Sequence, residues 1–392
     1  MRPLPAVVAG HICVDVIPVL DHLPYGQFMQ LFQPGRLVVS GPATFSTGGA
    51  VSNTGLALHR LGVPTRLVAR VGCDPFAQIV RGIVDSYSSD LSAGMVSSDS
   101  ATSYTIIINP PGIDRIFIHH PGANDAFRGN DVNFELVAQA ALFHFGYPPM
   151  MQQMYANSGA ELVELMRRVK ETGATTSLDM TFPDPTSPGG QANWRAILKA
   201  VLPYVDIFLP SIEEMLFMLQ RDTYERLHAS AQNGNILSQI TPELLTEFAS
   251  ELIASGVKVI GLKLGERGMY LQTTGADKLA GIGRAAPPAP EVWANRELWA
   301  PCFRVKVAGT TGAGDAAIAG FLSGLLRGMG AEECLTAAVA AGACNVEAPD
   351  ALSGVRSWEA TQERIHTGWE RHPLHIKSTG WRWDEHYQLW TK

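Results

Sequence analysis

Residues 309–317 read Gly-Thr-Thr-Gly-Ala-Gly-Asp-Ala-Ala and lie between two regular patterns. The β-like run at 303–307 before them predicts a strand, and the apolar residues after them, including Ile318 and Leu325, share one helix face. Small residues at such a turn let backbone N–H groups approach an anion, and the helix dipole favours negative charge there. The stretch therefore predicts an anion site in an α/β fold. Asp315 is interpreted as a helix cap or as a general base beside the anion.

Two further motifs place polar residues next to predicted helices and strands. Residues 48–53, Gly-Gly-Ala-Val-Ser-Asn, begin a helical pattern, and Asn53 in its first turn can cap the helix or bind a hydroxyl group. Residues 10–15, Gly-His-Ile-Cys-Val-Asp, end the first buried strand with a carboxylate. Burying that carboxylate is costly unless it is paired. Asp15 is therefore expected to accept hydrogen bonds from substrate hydroxyls or from loop amides.

Strand-like and helix-like segments alternate along most of the chain. Because alternating strands and helices are typical of a parallel sheet covered on both faces, we expect a three-layer α/β fold with a mostly parallel central sheet. Strands are predicted at residues 6–10, 67–71, 142–145, 175–178, 206–209 and 257–264, and helices at 159–172 and 242–255. Residues 181–193 are expected to form a loop, and 221–240 a loop that is helical in part.

One region breaks this alternation. Residues 101–109 and 115–120 predict a β-hairpin, and 37–45 can supply another strand. We expect these pieces to form a small β lid, drawn from about residues 12–46 and 101–120 of a domain spanning 1–365. The tail at 366–392 contains four tryptophans. Because chains that stay unfolded contain few large aromatic residues, the tail is expected to pack on the body or on a partner subunit.

Composition excludes several classes of protein. The chain has 392 residues, a net charge of −7 and no basic run, which argues against nucleic acid as a partner. Its five cysteines are dispersed, so a disulfide or zinc scaffold is not expected. The eleven histidines show no metal-ligand spacing, and the His119-His120 pair is interpreted as a surface or lid feature. No apolar run is long enough for a membrane span, and a cytoplasmic location is expected.

Together, the three motifs, in this order and at these distances, resemble the PfkB family of carbohydrate kinases, of which ribokinase is one branch. The resemblance extends to about Leu352. It implies a ribokinase-like fold and transfer of the γ-phosphoryl group of ATP to a sugar hydroxyl, with Mg²⁺. It further implies that Asp315 is the catalytic base, and that the amides of Gly312, Ala313 and Gly314 form the anion hole for the transferred group.

The resemblance assigns the remaining site residues to three functions. Those implied for substrate binding are Asp15, Gly48, Gly49, Asn53 and Asn124, and Asn124 is expected to touch either the substrate or the hinge of the lid. Those implied for nucleotide binding are Ser211, Lys263, Gly265, Thr311 and Asn345, and Glu214 and Asp179 are implied for magnesium.

The chain departs from the family pattern at three positions. Ser211 replaces the usual Asn, and the usual Arg partner of Asp179 is not evident. Gly309 stands where many members have an Asp that is associated with a monovalent-cation loop. Activation by a monovalent cation is therefore doubtful.

Several functions remain open from sequence alone. A sugar kinase is the leading interpretation, and a homodimer through the lid sheets is a hypothesis from the resemblance. A nucleoside kinase would need an aromatic wall, for which Tyr104, Phe117 and Phe45 are candidates. A kinase of a sugar acid or sugar phosphate would need a cation, and Arg36 and Arg115 are the candidates. A non-catalytic sugar- or nucleotide-binding protein is the alternative from another class.

Overall fold

The computed structural model describes residues 3–20, 34–35, 37–89, 91–109, 116–231 and 235–392. The turn predicted at 110–114 and the cations Arg36 and Arg115 lie outside the described residues. The strands are β1 Ala6–Gly10, β2 Cys13–Pro18, β3 Ala43–Gly48, β4 Thr65–Val68, β5 Arg70–Val71, β6 Val96–Ser97, β7 Tyr104–Ile108, β8 Ile116–His120, β9 Leu142–Gly146, β10 Thr175–Leu178, β11 Ile207–Phe208, β12 Val259–Lys263, β13 Met269–Thr273, β14 Glu297–Ala300, β15 Arg382–Asp384 and β16 Leu389–Thr391.

The helices fill most of the segments between these strands. They are α1 Ala50–Arg60, α2 Pro75–Asp85, α3 Phe134–Gln139, α4 Gln152–Tyr155, α5 Ala160–Glu171, α6 Pro188–Gln191, α7 Trp194–Val201, α8 Ile212–Leu219, α9 Arg221–Ser230, α10 Pro242–Ala254, α11 Ala276–Ala280, α12 Pro290–Trp293, α13 Ala313–Leu325, α14 Ala331–Asn345 and α15 Trp358–His366.

A ten-stranded sheet forms the centre of the molecule, in the order β15-β16-β14-β13-β12-β11-β10-β9-β1-β4. The strands from β4 to β12 in this order run parallel, and those from β12 to β15 pair antiparallel. Parallel strands end at one edge of a sheet, which is where α/β proteins bind ligands. Gly10, Gly146 and Lys263, which end β1, β9 and β12, therefore mark the edge at which a site is expected.

Apolar residues cover both faces of this sheet. Successive strand residues point to opposite faces, so Val8 belongs to one core and Val7 and Ala9 belong to the other. Helices α1, α13 and α14 pack on the Val8 side, while α5, α7, α8 and α10 pack on the opposite side. The predicted three-layer α/β architecture is therefore confirmed.

A second, four-stranded sheet has the order β3-β2-β7-β8. Strand β2 pairs antiparallel with β3 and parallel with β7, and β7 forms the predicted hairpin with β8. We refer to this sheet as the lid. Since β2 follows β1 after only two residues, the lid starts directly beside the ligand-binding edge of the central sheet.

One predicted strand is absent, and two other sequence predictions agree with the structure. Residues 303–307 do not form a named strand; Phe303 makes a single bridge with Arg371 and stacks on Trp369 at a centroid distance of 4.3 Å. Residues Arg221–Ser230 form a helix within the segment that was expected to be partly helical. The sequence of this helix is polar because none of its residues is buried. The tail supplies β15 and β16, and β16 pairs with β14, so these residues extend the central sheet. No helix among the described residues has the length and apolarity that crossing a bilayer requires.

Candidate active site

The glycine turn at the start of α13 has the geometry of an anion site. Gly312 caps the helix in the left-handed conformation, with φ 71°. A Cβ atom there would lie 2.8 Å from the Cβ of Ala351, so a larger residue is excluded. The first helical bond is donated by the Ala316 N–H to the Gly312 oxygen, which leaves the N–H groups of the first turn outside the helical ladder. Of these, the Ala313 N–H makes a long bond of 3.3 Å to Thr310.

Asp315 does not cap its own helix. Its carboxylate is 3% exposed and points toward α1 and the end of β9. Oδ2 accepts hydrogen bonds from Asn53 Nδ2 at 3.0 Å and from the Tyr147 hydroxyl at 2.7 Å, and Oδ1 accepts one from Thr54 Oγ1 at 3.2 Å. The sequence predicted Asp315 and Asn53 as parts of one site, and the structure brings them into direct contact.

Tyr147 and Thr54 are site residues that sequence reasoning missed. Tyr147 directly follows β9 and has φ 64°, a left-handed conformation that is strained for a bulky residue. Burial raises the pKa of the Tyr147 hydroxyl, and the charge of Asp315 raises it further, so this hydroxyl remains a donor. Its position at the carboxyl end of a parallel strand was the available signal. Thr54 adjoins Asn53, but only helix packing shows that it faces Asp315.

A lysine lies among three carboxylates next to the glycine turn. Lys263 Nζ donates to Asp179 Oδ1 at 2.7 Å, and a Cβ on Gly314 would lie 3.5 Å from Lys263 Cδ. Burial opposes the Lys263 charge, but Asp179 and Glu214 outweigh burial and raise its pKa. Burial raises the pKa of Asp179 well above its usual range against the effect of Lys263, and Glu214 and Asp315 raise it further. The cluster therefore gathers three carboxyl groups around one ammonium group.

This cluster fits a hard divalent cation such as Mg²⁺. Carboxylate oxygens are the ligand type that Mg²⁺ prefers. Asp179 is 1% exposed, and its Oδ2 has no hydrogen-bond partner among the described residues. Glu214 uses Oε2 to accept the Ser211 N–H at 2.7 Å, while Ser211 Oγ accepts the Glu214 N–H at 3.2 Å. Ser211 thus acts as a helix cap here, a role that the sequence did not assign to it.

The predicted substrate residues meet on the other side of Asn53. Asp15 is 8% exposed, and a Cβ on Gly48 would lie 2.5 Å from its Oδ2. Gly49 has φ 88°, and a Cβ there would lie 2.5 Å from His11 Nδ1. Burial raises the pKa of Asp15 to about 6. The first turn of α1 therefore lies next to Asp15 and the two glycines. This turn also contains Asn53, which donates a hydrogen bond to Asp315.

Of three other predicted residues, Asn124 and Asn345 are fully buried and Gly265 is exposed. Asn124 is fully buried, and its amide binds both the N–H and the carbonyl of Ile12, at 3.2 and 2.8 Å. It therefore braces the chain between β1 and β2 instead of facing the cleft. Asn345 donates to the Thr311 carbonyl at 2.7 Å and so braces the glycine turn. Gly265 follows β12 with φ 53° and faces Leu237.

Three of the known proteins that this chain resembles are named as sugar kinases. The profile described as pfkB family carbohydrate kinase matches residues 6–358. An uncharacterized sugar kinase of Archaeoglobus fulgidus is 24% identical over 281 residues, which cover 71% of this chain and 90% of that protein. The probable fructokinase-4 of Arabidopsis thaliana is 23% identical, covering 80% and 79% of the two chains. The structure of Arabidopsis thaliana ribokinase complexed with ribose and ATP has a TM-score of 0.67 at 20% identity, covering 93% of this chain and 98% of that one.

The fold is thus the ribokinase-like α/β fold, and the predicted fold class is confirmed. The chain belongs to the pfkB family of carbohydrate kinases. The predicted reaction class, a phosphotransferase that acts on a sugar hydroxyl, is likewise confirmed.

We expect Tyr147→Phe to lower kcat about tenfold, because a hydrogen bond to a charged group contributes roughly 1.5–3 kcal/mol. The KM for ATP should change little, since the hydroxyl contacts Asp315. Steady-state kinetics tests this, with Tyr155→Phe as the matched control, because the Tyr155 ring meets Trp194 edge-on and, within the described residues, no hydrogen bond to Asp315 is seen for it. Equal kinetics for the two variants would contradict a role for the Tyr147 hydroxyl.

We expect Lys263→Met to lower the free energy of unfolding by about 3–5 kcal/mol, because it leaves a buried carboxylate without its cation. Adding Asp179→Asn should recover most of this loss. Urea unfolding followed by circular dichroism measures both changes, with the exposed Lys278→Met as control. Lys263→Met stability equal to that of the control would contradict the proposed charge balance.

Proposed function

We propose that this protein transfers the γ-phosphoryl group of ATP to a hydroxyl of a small, uncharged sugar, with Asp315 as the general base. The observation that carries this proposal is the position of the Asp315 carboxylate. It lies in the first turn of the helix that follows the anion-binding glycines, and three donors fix its direction. The base and the anion site are therefore built from one turn of one helix.

The phosphate groups are expected to lie at the glycine turn. Phosphoryl transfer depends mainly on positioning and on neutralising charge. The N–H groups of Gly312, Ala313 and Gly314 would stabilise the transferred group, with Thr311 held from behind by Asn345. Lys263 passes along Gly314 and supplies a positive charge beside the same turn. The ATP complexes of a ribokinase and a fructokinase with this fold support ATP as the donor.

Asp179 and Glu214 would hold Mg²⁺ in the cluster around Lys263. When bound, the ion would neutralise charge on the phosphate oxygens. The residues of the chain perform the other steps. Asp15, Gly48, Gly49 and Asn53 would orient the sugar, because a carboxylate and an amide beside two small residues leave room for hydroxyl groups. Asp315 would then take the proton of the attacking hydroxyl.

The curated relatives support a sugar as the acceptor. Several are named fructokinases, and the structure of Arabidopsis thaliana ribokinase was solved with ribose. Of the three aromatic candidates for a nucleoside wall, Tyr104 is already engaged in packing. Tyr104 packs between Phe76 and His120, at centroid distances of 5.4 Å to each. We therefore propose a free monosaccharide such as fructose or ribose.

A phosphotransfer assay with ATP and Mg²⁺ across sugars, sugar acids, sugar phosphates and nucleosides tests the function. We expect turnover with a monosaccharide, and Asp315→Asn should lower kcat about 10²–10⁴-fold with ATP binding retained. The matched control is Asp222→Asn, which changes an exposed carboxylate on α9. Product from nucleosides alone would overturn the sugar assignment. Ligand binding without any product would indicate a binding protein, and full activity in Asp315→Asn would remove that residue as the base.

We also propose a cytoplasmic homodimer that forms through the lid. Strand β8 is an edge of the lid and exposes Ile116 by 40% and Ile118 by 52%. Adjacent exposed apolar residues on an edge strand favour pairing with another chain. Sedimentation velocity at micromolar concentration should show a dimer that Ile118→Glu dissociates. A monomer for the unchanged protein would contradict the proposal.

A further inference from the structure

Three side chains at the base of the lid form a compact set of metal-ligand atoms. One nitrogen each of His11 and His119 and the sulfur of Cys13 all lie within 4.8 Å of one another. None of the three residues was assigned to the site by the sequence motifs. His11 lies between β1 and β2, Cys13 begins β2, and His119 lies on β8.

The register of the lid explains why these residues meet. Asp15 pairs with Thr105 across β2 and β7, and Thr105 pairs with His119 across β7 and β8. Paired residues share a face of a sheet, and Cys13 lies two residues before Asp15 on that face. The rings of His11 and His119 complete the arrangement, with centroids 5.3 Å apart.

The histidine nitrogens point to a missing partner. His11 is 1% exposed, and within the described part of the chain neither of its ring nitrogens has a hydrogen-bond partner. Nε2 of His119 likewise has none there, while its Nδ1 bonds Thr105 Oγ1 at 3.0 Å. Buried polar atoms without partners are costly, about 1–3 kcal/mol each. Burial lowers the pKa of both histidines, which keeps the rings neutral, as metal ligation requires.

We propose that His11, Cys13 and His119 bind a borderline-soft divalent cation of the Zn²⁺ type. Two imidazoles and a thiolate are ligands that Zn²⁺ prefers, and three protein ligands leave a fourth tetrahedral position for water. Ligand atoms around tetrahedral zinc lie about 3.3–3.8 Å apart, so small side-chain rotations complete the site. The Thr105 hydroxyl on His119 Nδ1 orients Nε2 toward the ion.

Ligation requires the Cys13 thiol to lose its proton. Burial, and next the charge of Asp15, raise the pKa of the Cys13 thiol well above its usual value, so the thiol loses its proton only as the ion binds. The thiol donates a hydrogen bond to Asp15 Oδ1 at 3.4 Å, and this carboxylate can accept the proton. The sulfur then forms a bond to the ion with the electron pair that held the proton. No oxidant or reductant is needed.

The position of the ion predicts its effect on catalysis. Asp15 bonds Cys13, and Gly49 lies against His11, so the ion would occupy the sugar side of the cleft. We therefore expect Zn²⁺ to inhibit competitively with the sugar. This effect rests on the proposed function, whereas binding of the ion does not.

The test is a titration of the purified full-length protein with Co²⁺, which reports its ligands in the absorption spectrum. We expect one Co²⁺ per chain, with a thiolate charge-transfer band and tetrahedral visible bands. Cys13→Ser should remove the charge-transfer band, and His119→Gln should weaken binding at least about tenfold. Thr105→Val, which retains all three ligands, should weaken binding about 10–100-fold.

The matched controls are Cys73→Ser and His120→Gln, which change an exposed cysteine and the neighbouring histidine and should leave the spectrum unchanged. A wild-type spectrum without the thiolate band, or one retained in Cys13→Ser, overturns the site. If Cys13→Ser does not fold, the comparison of His119→Gln with His120→Gln tests the site instead. Equal Co²⁺ affinities of these two variants would overturn the proposed site. Intact Co²⁺ binding without Zn²⁺ inhibition would contradict the location of the sugar and leave the ion site supported.

Discussion

The active site depends on the contact that fastens the start of α13 to the start of α1. The Asp315 carboxylate is almost fully buried, and burying a carboxylate is unfavourable unless its oxygens are satisfied. Asn53, Thr54 and Tyr147 satisfy them and fix the direction of the carboxylate at the same time. One set of hydrogen bonds therefore both compensates the burial of the base and orients it. These bonds form only when two helices and the end of one strand are in place.

The order of the sheet explains why these pieces can meet. Gly146 and Lys263 end parallel strands, so the side chains that follow or end these strands gather at one edge. Asp179 and Ser211 follow the two strands between them. Two surfaces result, a charged one around Lys263 and a polar one around Asp15, with Asn53 and Asp315 at the boundary. A donor phosphate and an acceptor hydroxyl are thereby expected on opposite sides of the base.

The sequence alone predicted the main motifs of the site, but it did not predict the contacts that depend on tertiary packing. The turn around Gly312 and the motifs at Asp15 and Asn53 were recognisable because backbone conformation and close packing restrict the residue types at these turns. Tyr147 was missed because its own backbone is left-handed, and no local sequence pattern reveals where the side chain of such a residue points. Asn124 was interpreted as a contact to the substrate or to the lid hinge, and tertiary packing turns its amide to Ile12, between β1 and the lid strand β2. His11 and His119 show no ligand spacing in the sequence, since strand register is what brings His119 to the face of Cys13.

The bond between Asn53 and Asp315 joins residues separated by 262 positions. Contacts between such distant positions form late in folding, because the intervening loop must first be closed. Local opening of one helix start is enough to break this bond, while the two apolar cores stay packed. Catalytic competence is therefore less robust than the fold itself, and mild denaturant should silence the enzyme while its secondary structure is still intact.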